Sequence, residues 1–141
     1  LMEKNYQHQF SIVFSKAQLY HHQLKQPKKA IPLYKDARYL YAPQKIDAQF
    51  VPYWQSEQNT FGFGKLLSEY SQAYFALNDT KMGLRIALES AKADSTQTLA
   101  YELIGNQLKK EKKPWGACKY WQKAAQNGSA AATDSLLRYC K

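Results

Sequence analysis

Apolar positions recur along this chain with a helical period, broken at regular intervals by polar turns. Tyr70 to Ala91 reads Y-S-Q-A-Y-F-A-L-N-D-T-K-M-G-L-R-I-A-L-E-S-A. This predicts two amphipathic helices around a turn at Asn78-Asp79-Thr80, with Thr80 as cap of the second. The segment from Ile104, I-G-N-Q-L-K-K-E-K-K-P-W-G-A-C-K-Y-W-Q-K-A-A, has the same plan. Its second helix opens at Pro114, where a missing N–H costs nothing. Upstream, Ala17 to Gln26 predicts another first helix, and Pro27 opens its partner.

The three second helices share a spacing. Ala30-x3-Tyr34-x2-Ala37 matches Ala117-x3-Trp121-x2-Ala124, and Gly83-x3-Ala87-x2-Ser90 is a size-consistent middle copy. Gly83 and Ala117 are separated by one period of about 34 residues, the length of a helix-turn-helix repeat. Ala30 precedes Gly83 by the same period plus the insertion at 45–63. Small residues at fixed points let neighbouring helices approach closely, and a bulky residue one turn on fills the groove beside them. A single hairpin cannot bury its apolar face alone, so about three must stack. An unrelated helical bundle is the competing architecture, but a bundle has no reason to repeat at this interval.

On these residues the chain resembles the tetratricopeptide repeat family, whose hairpins of about 34 residues place small residues at repeat positions 8, 20 and 27 and a large one at 24. Gly105 and Ser71 fill position 8, where Gln18 departs. Ala30, Gly83 and Ala117 fill position 20, and Ala37, Ser90 and Ala124 fill position 27. Tyr34 and Trp121 fill position 24, where Ala87 departs. The tail A-C-K-Y-W-Q-K-A-A-Q-N-G-S-A-A also resembles the SEL-type variant, in which such a turn runs directly into another helix. The resemblance implies an all-α fold: a right-handed α-α superhelix of about three hairpins with a C-terminal capping helix. The chain then forms one domain over 1–141, with hairpins at 11–44, 64–97 and 98–128, an insertion at 45–63 and the capping helix at 129–140.

The insertion carries a compact apolar cluster, Phe50, Val51, Tyr53 and Trp54, broken by Pro52. It is expected to plug the gap between the first two hairpins; the alternative is an exposed loop that contacts a partner. The capping helix is expected to start at Ser129 and to bury a stripe of Ala132, Leu136 and Tyr139.

Cys118 and Cys140 are the only cysteines. They flank the turn at Asn127-Gly128 at nearly equal distances along the chain. Residues equidistant from the turn of an antiparallel hairpin lie side by side, so the spacing predicts a disulfide. A bridge would imply an oxidising compartment, periplasmic or cell-surface/secreted. The alternative is two buried thiols in a cytoplasmic protein. The cysteines lack zinc-ligand spacing and have no nearby His.

The chain's 141 residues and 16.3 kDa suit one domain with a real core. Hydrophobic residues at 45% against 22% charged argue for a folded chain, and no stretch approaches the roughly 20 apolar residues of a membrane span. Leu1-Met2-Glu3-Lys4 runs into polar sequence without a signal-peptide pattern, so the chain is expected to be soluble, or a soluble piece of something longer. The net charge is +9, from 20 Lys and Arg against 11 Asp and Glu. It divides as +4 over residues 1–60 and +5 over 61–141, which reads as dispersed. The dense run at Lys109–Lys113 reads as a solvated helix end.

Motifs for catalysis are missing. G-x-S-x-G, H-E-x-x-H, a P-loop and G-x-G-x-x-G do not occur, and F-G-F-G at 61–64 is expected to open a helix. His21 and His22 are expected to point about 100° apart on a helix, too divergent to share a metal. Glu69, Glu89 and Glu102 show no evident pairing. Neither catalysis, a cofactor nor a metal is expected.

The resemblance instead implies a protein-binding scaffold, with a concave face built by the first helix of each hairpin. By register that face takes Lys16, Leu19, His22 and Gln23, then Lys65, Gln72 and Phe75, then Glu102, Asn106, Lys109 and Lys110. Family members that clasp a C-terminal carboxylate use Asn and Lys residues like Asn106, Lys109 and Lys110. The A-C-x-x-W-x-K-A-A…Y-C ending further resembles tetratricopeptide proteins of bacterial envelopes, particularly of the Bacteroidota, implying a subunit of an envelope complex. A basic nucleic-acid-binding repeat protein is the alternative that the charge and the many Tyr permit.

Overall fold

The structure, a computed structural model, describes residues 2–41 and 60–140. It is all-α, and the described residues contain no strand. Helix α1 (Met2–Gln18) runs into a π-helical turn at Leu19–Gln23. Then follow α2 (Pro27–Tyr41), α3 (Thr60–Ala76), α4 (Thr80–Ala93), α5 (Thr98–Lys110), α6 (Pro114–Gln126) and α7 (Ala130–Tyr139). Each helix packs on the next within both described stretches, α2 packs on α3, and α3 also touches α5. The insertion's apolar cluster, whether plug or contact loop, lies outside the described residues.

The positions that share the repeat spacing are in the core. Ala30, Gly83 and Ala117 are buried, as are Tyr34, Ala87 and Trp121, and Ala37, Ser90 and Ala124. Ser71 and Gly105 on the facing helices are buried too. A Cβ on Gly105 would lie 2.6 Å from the Trp121 ring, so only glycine lets α5 and α6 close on that indole. The middle copy has Ala87, also buried, in place of a large residue, and its Ser90 is buried but satisfied. Ser90 Oγ, 2.7 Å from Ser68 Oγ, donates to the Gly64 carbonyl.

The turns repeat as well. Lys25, Asn78 and Lys112 all adopt left-handed backbone, with φ of 53°, 62° and 61°. They follow one another at the same intervals as Ala30, Gly83 and Ala117. After each, a backbone N–H reaches back to the preceding helix: Asp79 to the Tyr74 carbonyl at 3.0 Å, Lys113 to Leu108 at 2.9 Å. In the first turn Gln26 reaches Tyr20, one residue further back, at 2.7 Å. The π-helical turn absorbs that extra residue.

Three local expectations need correction. The cap of α4 is Asp79, not Thr80: the left-handed Asn78 leaves Asp79 as the last non-helical residue, and its carboxylate accepts from the Met82 N–H at 3.2 Å. The rings of His21 and His22 do not diverge; they stack with centroids 4.1 Å apart, drawn together by partners on α2 and α3. Glu69, Glu89 and Glu102 do not pair with one another, but each bonds to a distant segment. Glu69 accepts from Gln18, Arg38 holds Glu89 at 2.5 Å, and Ser129 donates to Glu102.

Helix α7 follows the expected plan in its cap and its disulfide, and departs from it at Tyr139. Ser129 caps α7, its Oγ accepting from the Ala132 N–H at 3.0 Å. Cys118 on α6 and Cys140 after α7 are joined by a disulfide, with Cα atoms 5.9 Å apart. Of the predicted stripe, Ala132 is fully buried, Leu136 half-buried and Tyr139 51% exposed. Tyr139 lies against Trp121 at a centroid separation of 5.9 Å rather than inside the core.

Candidate functional site

The turn after α1, helix α3 and the start of α5 together line a cleft of about 280 Å3. His22, Lys65, Glu69, Gln72 and Thr98 face it. Lys65, Glu69 and Gln72 follow one another at i, i+4 and i+7, which puts them on one stripe of α3. Glu69 is 6% exposed and is held by Gln18 Nε2 at 3.0 Å and His22 Nε2 at 2.7 Å. A carboxylate taken this far from water needs such partners. Gln72 Oε1, buried beside it, has no hydrogen-bond partner.

Beneath the cleft, His21 Nδ1 lies 2.7 Å from the Tyr34 hydroxyl. Burial, with a smaller contribution from His22, lowers the pKa of His21 to about 4. Burial and the nearby Glu69 charge raise that of the Tyr34 phenol. Neutral imidazole is therefore the folded form down to about pH 4, whereas the unfolded chain binds this proton from about pH 6.5. Unfolding takes up a proton in that window, so stability is fully present above it and falls as the pH drops through it. The expected loss between pH 7 and pH 4.5 is about 2 kcal/mol. Urea denaturation at both values checks it. His21→Gln should flatten the profile, and an equal acid loss in that variant would assign the effect to the carboxylates.

A second cleft of about 280 Å3 continues between α3 and α5, with Phe75, Asn106 and Lys110 on its walls. A third, of about 450 Å3, lies between α5 and α7 and takes in Asn106, Lys109, Lys110, Arg138 and Tyr139. Asn106 Oδ1 accepts from the Trp121 indole N–H at 3.0 Å, which leaves the amide NH2 for a ligand. Lys109 Nζ lies 3.4 Å from the centroid of the Tyr139 ring. Lys109 first, and Arg138 after it, lower the pKa of the Tyr139 phenol.

Seven of the eleven residues placed on the binding face by register thus line clefts. His22, Lys65 and Gln72 share the first, and Phe75, Asn106 and Lys110 the second, while Lys109 joins Asn106 and Lys110 in the third. Lys16, Leu19 and Gln23 are exposed and line none of the three, and neither does Glu102, which bonds to Ser129. Phe75 also packs, its ring 2.9 Å from where a Gly83 Cβ would stand. Glu69, Arg138 and Tyr139 were not foreseen. Glu69 had a signal, its i+4 offset from Lys65; Arg138 and Tyr139 had none, because the fold of α7 back onto α5 brings them there. No group of three His, Cys, Asp or Glu side chains among the described residues could hold a metal. No protein-family model matches the chain, and none of the curated proteins matches it.

Proposed function

We propose that this chain is a non-catalytic scaffold of the tetratricopeptide kind, with a SEL-like last unit. It holds a partner polypeptide along the face built by α1, α3 and α5. The observation that carries this reading is the succession of clefts along that face, furnished with groups that a peptide would satisfy. Gln72 and the exposed Lys65 share the wall of the first cleft with Glu69. Lys65 and Lys110 are exposed cations beside half-buried apolar walls at Leu99 and Phe75. The basic side chains favour a partner with acidic residues.

The disulfide supports a place outside the cytoplasm, periplasmic, cell-surface or secreted, as a subunit of a bacterial envelope complex. No helix among the described residues is long and apolar enough to cross a membrane.

Affinity capture from the native source, with crosslinking, identifies the partner and its contacts. Lys109→Glu with Lys110→Glu should then weaken binding by at least about tenfold in calorimetric titration, since each swap replaces attraction with repulsion. Unchanged affinity removes the third cleft from the site. A salt titration on random RNA separates the nucleic-acid alternative: micromolar binding with a steep salt slope would favour it.

A further inference from the structure

The charge is not dispersed when it is counted from the last turn of α5 onward. Residues 109–141 hold 8 Lys and Arg against 2 Asp and Glu, six of the nine net charges of the chain. In the structure this basic end carries an apolar side chain that the described residues leave uncovered. Trp115, the second residue of α6, is 91% exposed. An indole is the largest apolar side chain available, and leaving it in water forgoes the burial that would stabilise it most.

Its surroundings are specific. Lys119 stands one turn along α6 on the same face. Trp115 and Lys119 share an open groove of about 770 Å3 floored by Leu136, Tyr139 and the Cys118–Cys140 bridge. The turn before α6 adds Lys112 and Lys113, and an adjoining cleft joins Lys109 and Lys112 to Pro114 and Tyr139. Lys113 lies 3.5 Å from Glu111. Lys112 and Lys119 form no ion pair among the described residues.

We propose that this end is a membrane-surface anchor: Trp115 enters the headgroup layer of an anionic bilayer while Lys112, Lys113 and Lys119 sit on its phosphates. Indole suits that layer, with an apolar body and one polar N–H. Lysine stems lie along the apolar zone and keep the ammonium at the phosphates. Each lysine near an anionic surface raises partitioning about fivefold. Like charge argues against a second copy of this chain as occupant, because two such ends repel. The 91% exposure of Trp115 argues for a bilayer over a polypeptide: the ring projects from the groove, and a fluid surface receives it without a matching pocket. The anchor shares no lining residue with the first two clefts of the face built by α1, α3 and α5, so a docked molecule keeps those free, while its adjoining cleft meets the third at Lys109, Trp121 and Tyr139.

The test is co-sedimentation of the oxidised full chain with phosphatidylcholine vesicles, with and without about 30 mol % phosphatidylglycerol. Binding to the anionic vesicles alone, lost as salt is raised and accompanied by a blue shift of Trp emission, is expected. Trp115→Ala should lower partitioning about tenfold without changing the melting temperature, since the ring touches so little of the fold. Lys112→Glu with Lys119→Glu should lower it by more than about twentyfold. Lys28→Glu with Lys29→Glu, the same charge change placed on α2, should leave it within about twofold. Equal binding to neutral vesicles, no effect of Trp115→Ala, or equal losses from the two lysine pairs would each overturn the proposal. So would absence of vesicle binding alongside Trp115-dependent binding to polyglutamate, which would assign the surface to an acidic polypeptide.

Discussion

Trp121→Ala is expected to lower the unfolding free energy by about 3–5 kcal/mol, the upper range for a single core truncation. Trp121 is 2% exposed and the largest fully buried side chain of the chain's described core. It packs on Gly105, lies against Tyr139 and donates its indole N–H to Asn106. The cost of such a cavity depends on whether its walls can collapse. Here one wall is a glycine with no side chain to move inward, so the void persists. Gly105→Ala alone should also destabilise, because its Cβ would meet the indole at 2.6 Å. In the Trp121→Ala background the same change should stabilise by about 0.5–1 kcal/mol, since alanine is the better helix former and now fills space. Urea denaturation of the four proteins gives the coupling. Additive effects would mean that the two residues do not share the crossing.

That crossing is the part of the fold that could be read from the chain. Close approach demands a residue the size of Ala, Gly or Ser at Ala30, Gly83, Ala117, Ala37, Ser90 and Ala124, so the demand is written in residue size. The turn positions were less readable for the opposite reason. Left-handed backbone is written as Gly or Asn in most turns, but Lys25 and Lys112 adopt it without that signature. The extra residue taken up at Leu19–Gln23 left no pattern either.

Long-range polar pairs were invisible on similar grounds. Glu69 meets Gln18 and His22 across separations of 51 and 47 residues, and nothing local marks a carboxylate as buried. The basic end was hidden by arithmetic: halving the chain at residue 60 averages over 61–141 a charge whose excess begins only at Lys109, in the last turn of α5. Among the site residues that register placed well, Lys65 and Gln72 each stand between two buried neighbours along α3.

Removing the Cys118–Cys140 bridge, by reduction or by replacing both cysteines with Ser, is expected to cost roughly 3 kcal/mol on the chain-entropy model. The sequence separation of 22 residues sets that figure through loop closure. The loss should fall unevenly, because α7 has little else to hold it. It is 10 residues long, below the length at which helices persist alone, and Ala132 is its only fully buried residue. The Ser129 cap and the Ser129–Glu102 bond fix its first turn, while the bridge fixes its last. Amide exchange in 130–140 should therefore accelerate far more on reduction than exchange in α3 or α4. The Lys109–Tyr139 contact should be lost with it, which opens the cleft between α5 and α7 and exposes one side of Trp121. Mass measurement after alkylation of the unfolded, unreduced protein decides whether the bridge forms. Two alkylated thiols would withdraw it and, with it, the argument for an oxidising compartment; with the bridge intact, a uniform rise in exchange from α1 to α7 would show that it stabilises the whole array rather than its last element.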